Sequence, residues 1–463
     1  MESNFKEYNF LEYSKEQLFS LLPELIKEKK VLLIRKIFDQ YNIVDLSEIF
    51  IKLELNQALF IFKILPKDIS ANLFTYLEPE YQEKLIKALS SVELKSMLDN
   101  MFSDDIIGFL EEMPANVIKH ILDNVSHEHR KEINTLLSYE DNTAGSVMST
   151  DFVELLQTDT VETAIKKIKQ KAQVVETINV CFVIDKKRLL IGFVNLREII
   201  ISKNDKLIKD IMDKNVHYVY TNTDQEEVAN ILSKYDLTTV AVLNDENRLI
   251  GIVTADDVLD ILNEEATEDI HKMSGITSTE GSYLKTTIKE MIKSRISWLL
   301  ILMISATFTG YILQYFEDKL SAVAILSASI PIIMSTAGNA GAQSSTMVIR
   351  GIAVDDLNMK DFFVVVKKEL FVGLLCGAIL FVINFIRLYL FGSKDITLSI
   401  SFVVSLTITL SLISANIAGG ILPLIAKQFK MDPASAAAPL ITTIVDATSL
   451  ITYFMLAILI LGI

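Results

Sequence analysis

The chain has 463 residues, half of them hydrophobic, and a formal net charge of −15. That length accommodates roughly two to four domains, and the acid excess excludes nucleic acid as a partner while favouring cations. Cys181 and Cys376 are the only cysteines, so a disulfide framework and a cysteine-built zinc site are excluded, in keeping with a reducing cytosol.

The charge is unevenly spread. Residues 1–295 carry 35 Lys and Arg against 50 Asp and Glu, whereas residues 296–463 carry 9 against 9. The opening MESNFKEYNF is mixed in charge and lacks an apolar core, so no cleaved signal peptide is expected there. From residue 45 to 126 the sequence repeats every 24 residues: Ile49/Leu53, Leu73/Leu77, Met97/Met101 and Ile121/Val125 superpose, and Leu65/Pro66, Leu89/Ser90 and Met113/Pro114 mark the breaks. Helical spacing within units and breakers between them predict an acidic all-α superhelix over residues 1–140. Most of it reads as scaffold, with the acidic corner at Asp104 and Asp105 as the exception.

A longer repeat follows, with copies at 141–203 and 204–263. VMSTDFVELLQTDTVETAIKKI from Val147 aligns with IMDKNVHYVYTNTDQEEVANIL from Ile211, and LLIGFVNLREII from Leu189 with LIGIVTADDVLD from Leu249. Each copy reads strand, helix, strand, strand, helix, with a tight turn ahead of Gly192 or Gly251. The pattern resembles a pair of α/β CBS modules. That resemblance implies an adenine nucleotide such as ATP as a regulator, held by a Thr and an Asp three residues later. Copy two offers Thr254 and Asp257 for this, while copy one has Asn195 and Glu198. A purely structural pair is the other reading.

DDVLDILNEEATEDIHK, from Asp256, predicts an acidic helix leading into a connecting segment, 264–294. Asp257, Asp260, Glu264 and Glu268 step by three, four and four, with Glu265 and Asp269 alongside. Like charges at i, i+4 cost about 0.2–0.5 kcal/mol per pair, so something cationic should compensate. Spacing alone leaves two readings, a solvated polar face or carboxylates that collect hydrated divalent cations, which take oxygen ligands. Its place just ahead of the first apolar span favours the second.

Residues 295–463 contain five stretches long enough to cross about 30 Å of hydrocarbon as helices. They are Ile296 to Phe316, Leu320 to Ile349 with Pro331 interrupting it, Leu370 to Phe391, Ile396 to Ala426, and Ala437 to Ile463. Lys285, Lys289, Lys293 and Arg295, then Arg350, Lys360, Lys367 and Lys368, then Lys427 and Lys430 flank alternate ends. The other loops, Glu317 to Lys319 and Ser393 to Asp395, are poorer in base. The basic excess predicts a multi-pass protein of the inner cell membrane with the N-terminal part cytosolic and the C-terminus outside.

Asp446, about nine residues into the last stretch, reads as the only acid inside a span. Ionisable groups there are expensive and are functional candidates by default. A structural pairing would need Arg387, which lies near the outer end of its own span. Around Asp446 stand neutral oxygens: Thr442, Thr443 and Thr448 with Pro439 expected to free backbone carbonyls, Asn339, Gln343, Ser344 and Ser345 in GNAGAQSS, and Asn416 ahead of Gly419, Gly420 and Pro423. Oxygen donors without sulfur or imidazole suit a hard cation. Few carboxylates suit Mg²⁺, which keeps much of its water.

These motifs together, GNAGAQS after Pro331, ANIAGGILP from Ala415, Asp432-Pro433, PLITTIVD from Pro439 and EATEDIHK from Glu265, resemble the MgtE family of magnesium channels and transporters over essentially the full chain. The resemblance implies a homodimer with one pore on its two-fold axis, where Asp446 of both subunits selects hydrated Mg²⁺. It also implies feedback, with cytosolic Mg²⁺ bound among Asp104, Asp105, Glu226, Asp236, Asp257, Asp260, Glu268 and Asp269 closing the pore. The family more often has GGNTGNQS, so the oxygens missing at Ala340 and Ala342 carry no role here. The fold expected is thus multi-domain: helical superhelix, CBS pair, connecting acidic helix and five-helix transmembrane domain.

No phosphate-binding Gly-x4-Gly-Lys loop is present, which argues against an ATP-driven pump. The alternatives are a channel for Co²⁺, Mn²⁺ or Ca²⁺, or a membrane-anchored nucleotide sensor that conducts nothing. An enzyme finds little support, because His120, His127, His129, His217 and His271 form no ligand spacing with nearby carboxylates.

Overall fold

The computed structural model describes residues 13–111, 113–125, 127–277, 283, 286–316, 324–354, 357–392, 396–435 and 438–462. They form two compact units, Met1–Leu262 and Asn263–Ile463. Lys285, the loops at 317–319 and 393–395, and the side chains of His127, His129 and Pro439 lie outside the described residues.

The first unit opens with α1 (Lys15–Lys27) and α2 (Val31–Gln40) and continues as a helical series: α3 (Ile43–Phe50), α4 (Leu55–Ile64), α5 (Lys67–Thr75), α6 (Pro79–Ala88), α7 (Ser91–Leu98), α8 (Ser103–Glu111), α9 (Ala115–Asn124) and α10 (His127–Leu136). Odd and even members each start 24 residues after the last of their kind (67 − 43; 79 − 55). Local chemistry sets these starts. Asn42 caps α3, Ser90 and Glu93 form a reciprocal capping box on α7, and Pro79 takes the first position of α6, where its missing N–H costs nothing. α3 packs on α5, α5 on α7 and α7 on α9, burying the repeated Ile49, Leu73, Met97 and Ile121. This is the predicted superhelix.

Two three-stranded sheets follow. β1 (Phe152–Leu156), α11 (Val161–Lys171), β2 (Thr177–Ile184), β3 (Leu190–Asn195) and α12 (Leu196–Ile201) make the first copy; β4 (Tyr218–Tyr220), α13 (Gln225–Lys234), β5 (Thr239–Leu243), β6 (Leu249–Thr254) and α14 (Ala255–Met273) make the second. In each, the first strand pairs parallel to the second and the second antiparallel to the third. The copies also exchange their leading segments: Ser149 bridges to Ile252 in copy two, and Asp213 bridges to Phe193 in copy one. Gly251 and Gly192 make room for this, since a Cβ at Gly251 would stand 2.5 Å from Met148 Sδ and one at Gly192 2.4 Å from the Asp213 carbonyl. The helical series and the second copy share one hydrophobic core.

The second unit holds five long helices, α15 (Ile288–Tyr315), α16 (Ala324–Ala353), α17 (Phe362–Phe391), α18 (Leu398–Gln428) and α19 (Ala438–Leu461). α18 is central, packed on α16, α17 and α19. Among the described residues four of the five, all but α16, are long and apolar enough to cross a membrane. α16 has the length, at 30 residues, but GNAGAQSS dilutes its apolar character.

Two expectations need correction. Pro331 does not interrupt α16, which runs through it; within a bundle, neighbouring helices and side chains re-satisfy the one freed carbonyl. Pro439 lies in the first turn of α19, where no intrahelical bond is lost, so it frees no carbonyl. The third long helix begins at Phe362, eight residues ahead of the expected span, so Glu369 is helical and lies just before that span.

Candidate functional site

Small residues bring three helices together around the last acid. A Cβ on Gly419 of α18 would stand 2.3 Å from the Gly341 carbonyl of α16, and a Cβ on Gly341 would stand 2.8 Å from Ile441 of α19. Only glycine permits backbones this close. The Ser344 hydroxyl donates to the Asn416 carbonyl at 2.8 Å, joining α16 to α18. Ile441 and Val445 are buried in this seam.

Asp446 follows Val445 and is half-buried, eight residues or roughly 12 Å from the start of α19. Thr442 and Thr443, four and three residues earlier, lie on the same side of the helix. Gly338 faces Thr442, its absent Cβ 3.9 Å from Thr442 Cγ2, so the exposed Asn339 stands at that height. Gln343 takes the other flank of α16 and lines a groove toward α17. Thr448 hydrogen-bonds back to the Ile444 and Val445 carbonyls. Arg387 is engaged elsewhere, donating to Asn384 Oδ1 at 2.8 Å, while Asn384 donates to Ser405. Among the described residues no basic side chain pairs with Asp446. Among the described residues the hydroxyls of Ser345, Ser411 and Ser449, one on each of α16, α18 and α19, are buried and find no hydrogen-bond partner.

A second group of acids lies in the first unit. The start of α8 is clasped to the segment before β1: Ser103 N donates to Asp151 Oδ2 and Thr150 N to Ser103 Oγ, both at 2.9 Å. This turns Asp104 and Asp105 toward Glu176 and the first turn of α14. Burial first, then the charges of Glu176, Asp257 and Asp105, hold the Asp104 carboxyl well above its ordinary range. Burial and the charges of Asp257 and Asp256 raise Asp105 to about 6. Burial and the charges of Asp257, Asp105, Asp256 and Asp151 raise Glu176 to about 8. Asp257 is raised as well, chiefly by burial, although it accepts from Thr254 Oγ1 at 2.7 Å. Among the described residues Asp104 Oδ1 and Glu176 Oε2, both buried, have no hydrogen-bond partner. Such a set is stable only when protonated or when a cation lies among it.

The sequence-predicted acids therefore divide. Asp104, Asp105 and Asp257 converge, and the exposed Asp260 is one turn from Asp257 on α14. Glu226 and Asp236 lie at opposite ends of α13, roughly 15 Å apart. Glu268 pairs with Lys272 at 2.8 Å, and Lys272 with Asp432 at 2.6 Å. Asp269 is raised by burial and by Asp432. Thr254 and Asp257 form their own hydrogen bond at the β6–α14 corner. Glu176 escaped sequence reasoning, because it lies in the connection before β2 and its backbone N–H simply donates to the Asp151 carbonyl. Asp256 was passed over beside Asp257. Among the described residues no three His, Cys, Asp or Glu side chains form a ready metal shell, so a cation here would be held partly through its own water, as Mg²⁺ commonly is.

Comparison with known proteins accounts for most of the chain. Residues 330–456 match the MgtE divalent cation transporter family, 41–142 the MgtE intracellular N domain, and 144–203 and 208–264 the CBS domain. The chain is 34% identical over 450 residues to the magnesium transporter MgtE of Thermus thermophilus, covering 96% of this chain and 99% of that one. It is 30% identical over 440 residues to the magnesium transporter MgtE of Bacillus subtilis, covering 94% and 95%. A crystal structure of the soluble part of a magnesium transporter matches at 30% identity and a TM-score of 0.52, covering 55% of this chain and 100% of that one. The chain belongs to the MgtE family of divalent cation transporters.

Proposed function

We propose that the chain is a homodimeric channel that imports Mg²⁺ through the cell membrane and is closed by cytosolic Mg²⁺. The observation that carries the reading is Asp446: one half-buried carboxylate without a basic partner, beside Thr442, Thr443 and Asn339, on helices too closely packed to move aside. An unpaired charge at that depth demands water or a cation. A partner subunit's Asp446 across a two-fold axis would double the carboxylates without stripping the ion of its water. Inward transfer of a divalent cation gains roughly 4.6 kcal/mol per 100 mV, so no fuel is required. Gln343 joins this site only if α16 turns toward the axis.

In this reading five helices span the bilayer over residues 295–463, the N-terminal part is cytosolic and the C-terminus lies outside. Domain limits of 1–140, 141–203, 204–263 and 264–294 organise the cytosolic part. The orphaned oxygens of Asp104 and Glu176 support Mg²⁺ as the closing ligand of Asp104, Asp105, Asp257 and Asp260; Glu226, Asp236, Glu268 and Asp269 form outlying positions. The Thr254 and Asp257 corner would also take the ribose and phosphate of an adenine nucleotide, making such a nucleotide a regulator that shares Asp257 with the closing cation.

Rescue of an Mg²⁺-requiring bacterial strain tests the pore. Asp446→Ala is expected to abolish rescue and Asp446→Asn to reduce it strongly; rescue by the Ala variant at wild-type level sinks the assignment. Parallel uptake with Co²⁺, Mn²⁺ and Ca²⁺ ranks the competing cations.

A further inference from the structure

A groove of about 900 Å³ opens between α16, α17 and α18. Its inner wall includes Ala340, Ser344 and Leu412, and its rim carries Met347, Phe371 and Val372, which are 75%, 53% and 47% exposed. Lys367 and Lys368 line it on α17, with Phe363 and Val364 lining it one turn further toward the helix start, and among the described residues neither lysine has a carboxylate partner. About 20 helical residues cross the hydrocarbon. Counted back from Phe391, the end of α17, they reach Val372, so Phe371 and Val372 lie at the hydrocarbon edge and the two lysines one turn beyond it, at headgroup level. Glu369 also lines the groove, but its stem packs against α18, with Cγ 2.9 Å from where a Gly420 Cβ would be. The mouth therefore carries two positive charges and one negative.

We infer that this groove binds one anionic phospholipid, with an acyl chain against the apolar wall and its phosphodiester between Lys367 and Lys368. The net single positive charge selects a monoanionic headgroup over a zwitterionic or polyanionic one. The inference rests on α17 crossing the bilayer and is independent of what the protein transports.

The test is native mass spectrometry of the full chain in detergent, with equimolar phosphatidylglycerol and phosphatidylcholine as probes. The wild type is expected to retain phosphatidylglycerol preferentially. Lys367→Gln with Lys368→Gln should lose roughly 30-fold of that preference, taking about fivefold for each headgroup-level lysine. Lys427→Gln with Lys430→Gln, at the C-terminal end of α18 and outside the groove lining, should keep it. Equal retention of the two lipids by the wild type, or equal loss in both double variants, would overturn the site. Displacement by excess inorganic phosphate would overturn it in favour of a free anion. An oxidative Cys376–Cys376 crosslink between copies would overturn it in favour of a second copy covering the groove.

Discussion

Two carboxylate settings in this chain solve opposite problems. Asp446 is a lone acid on a frame whose helices meet backbone to backbone at Gly341 and Gly419. Asp104, Asp105, Glu176 and Asp257 are a crowd of acids: α8 and α14 share a hydrophobic core, and the carboxylates at its margin raise one another's pKa, so their repulsion works against the docking of α8. A lone charge on a stiff frame suits selection, because the ligand geometry persists whether or not an ion is present. A crowd on a yielding frame suits sensing, because its stability changes with the ion.

If the frame around Asp446 is stiff, disturbing it should be costly. Gly419→Ala inserts a methyl 2.3 Å from the Gly341 carbonyl, and relief requires α16 and α18 to separate. Overpacking costs about 1–3 kcal/mol, so the melting temperature of the detergent-solubilised protein is expected to fall by roughly 5 °C or more. An unchanged melt would show that the seam yields, and the contrast would fail.

If the crowd is conditional, removing one member should strengthen the metal-free state and blunt its response. Glu176→Gln keeps the shape and removes one of the mutually raising charges. Protection of the cytosolic part from limited proteolysis should then be greater without Mg²⁺ and require roughly tenfold more Mg²⁺ to reach its plateau, the equivalent of about 1.4 kcal/mol. Wild-type protection curves would remove Glu176 from the sensing group.

Acidity should act on the same crowd without mutation. Asp105 and Glu176 titrate near 6 and 8 when folded, against ordinary values of 3.8 and 4.5. Folding raises both, so their stabilising contribution is full below the ordinary values and is lost as pH rises through the folded ones. In chelator, resistance of the cytosolic part to proteolysis should therefore decline from about pH 4.5 to about pH 8, and Mg²⁺ should flatten the decline. A flat profile in chelator would mean that the acids are already compensated.

How much of this was legible in the sequence follows the range of the interactions involved. The 24-residue step of α3 to α10 and the two sheet copies were legible because caps, breakers and apolar spacing act within a few residues. Asp446 was legible because a charge in an apolar run needs no fold to stand out. Glu176 was not, since its neighbours Asp104 and Asp257 are far away along the chain and are brought to it by the core that α8 shares with α14 and by the clasp at Ser103 and Asp151. Glu369 was hidden by the adjacent Lys367 and Lys368, which made the start of α17 read as loop.

Lys272, near the end of α14, gives the smallest expected effect. It stands among Glu268, Asp269 and Asp432, and it is the internal cation that the acidic helix pattern called for. Burial lowers its pKa, but the hydrogen bonds to Asp432 and Glu268 outweigh this and raise it overall. Because all three paired side chains are about one-third exposed, the pairing contributes only about 0.2–1 kcal/mol. Lys272→Met should lower the melting temperature in chelator by roughly 1–3 °C. It should also leave Glu268, Asp269 and Asp432 without their counter-charge, so that added Mg²⁺ restores more stability to the variant than to the wild type. A loss of equal size with and without Mg²⁺ would mean that the lysine serves packing alone, and that these three acids belong to neither the selecting nor the sensing group.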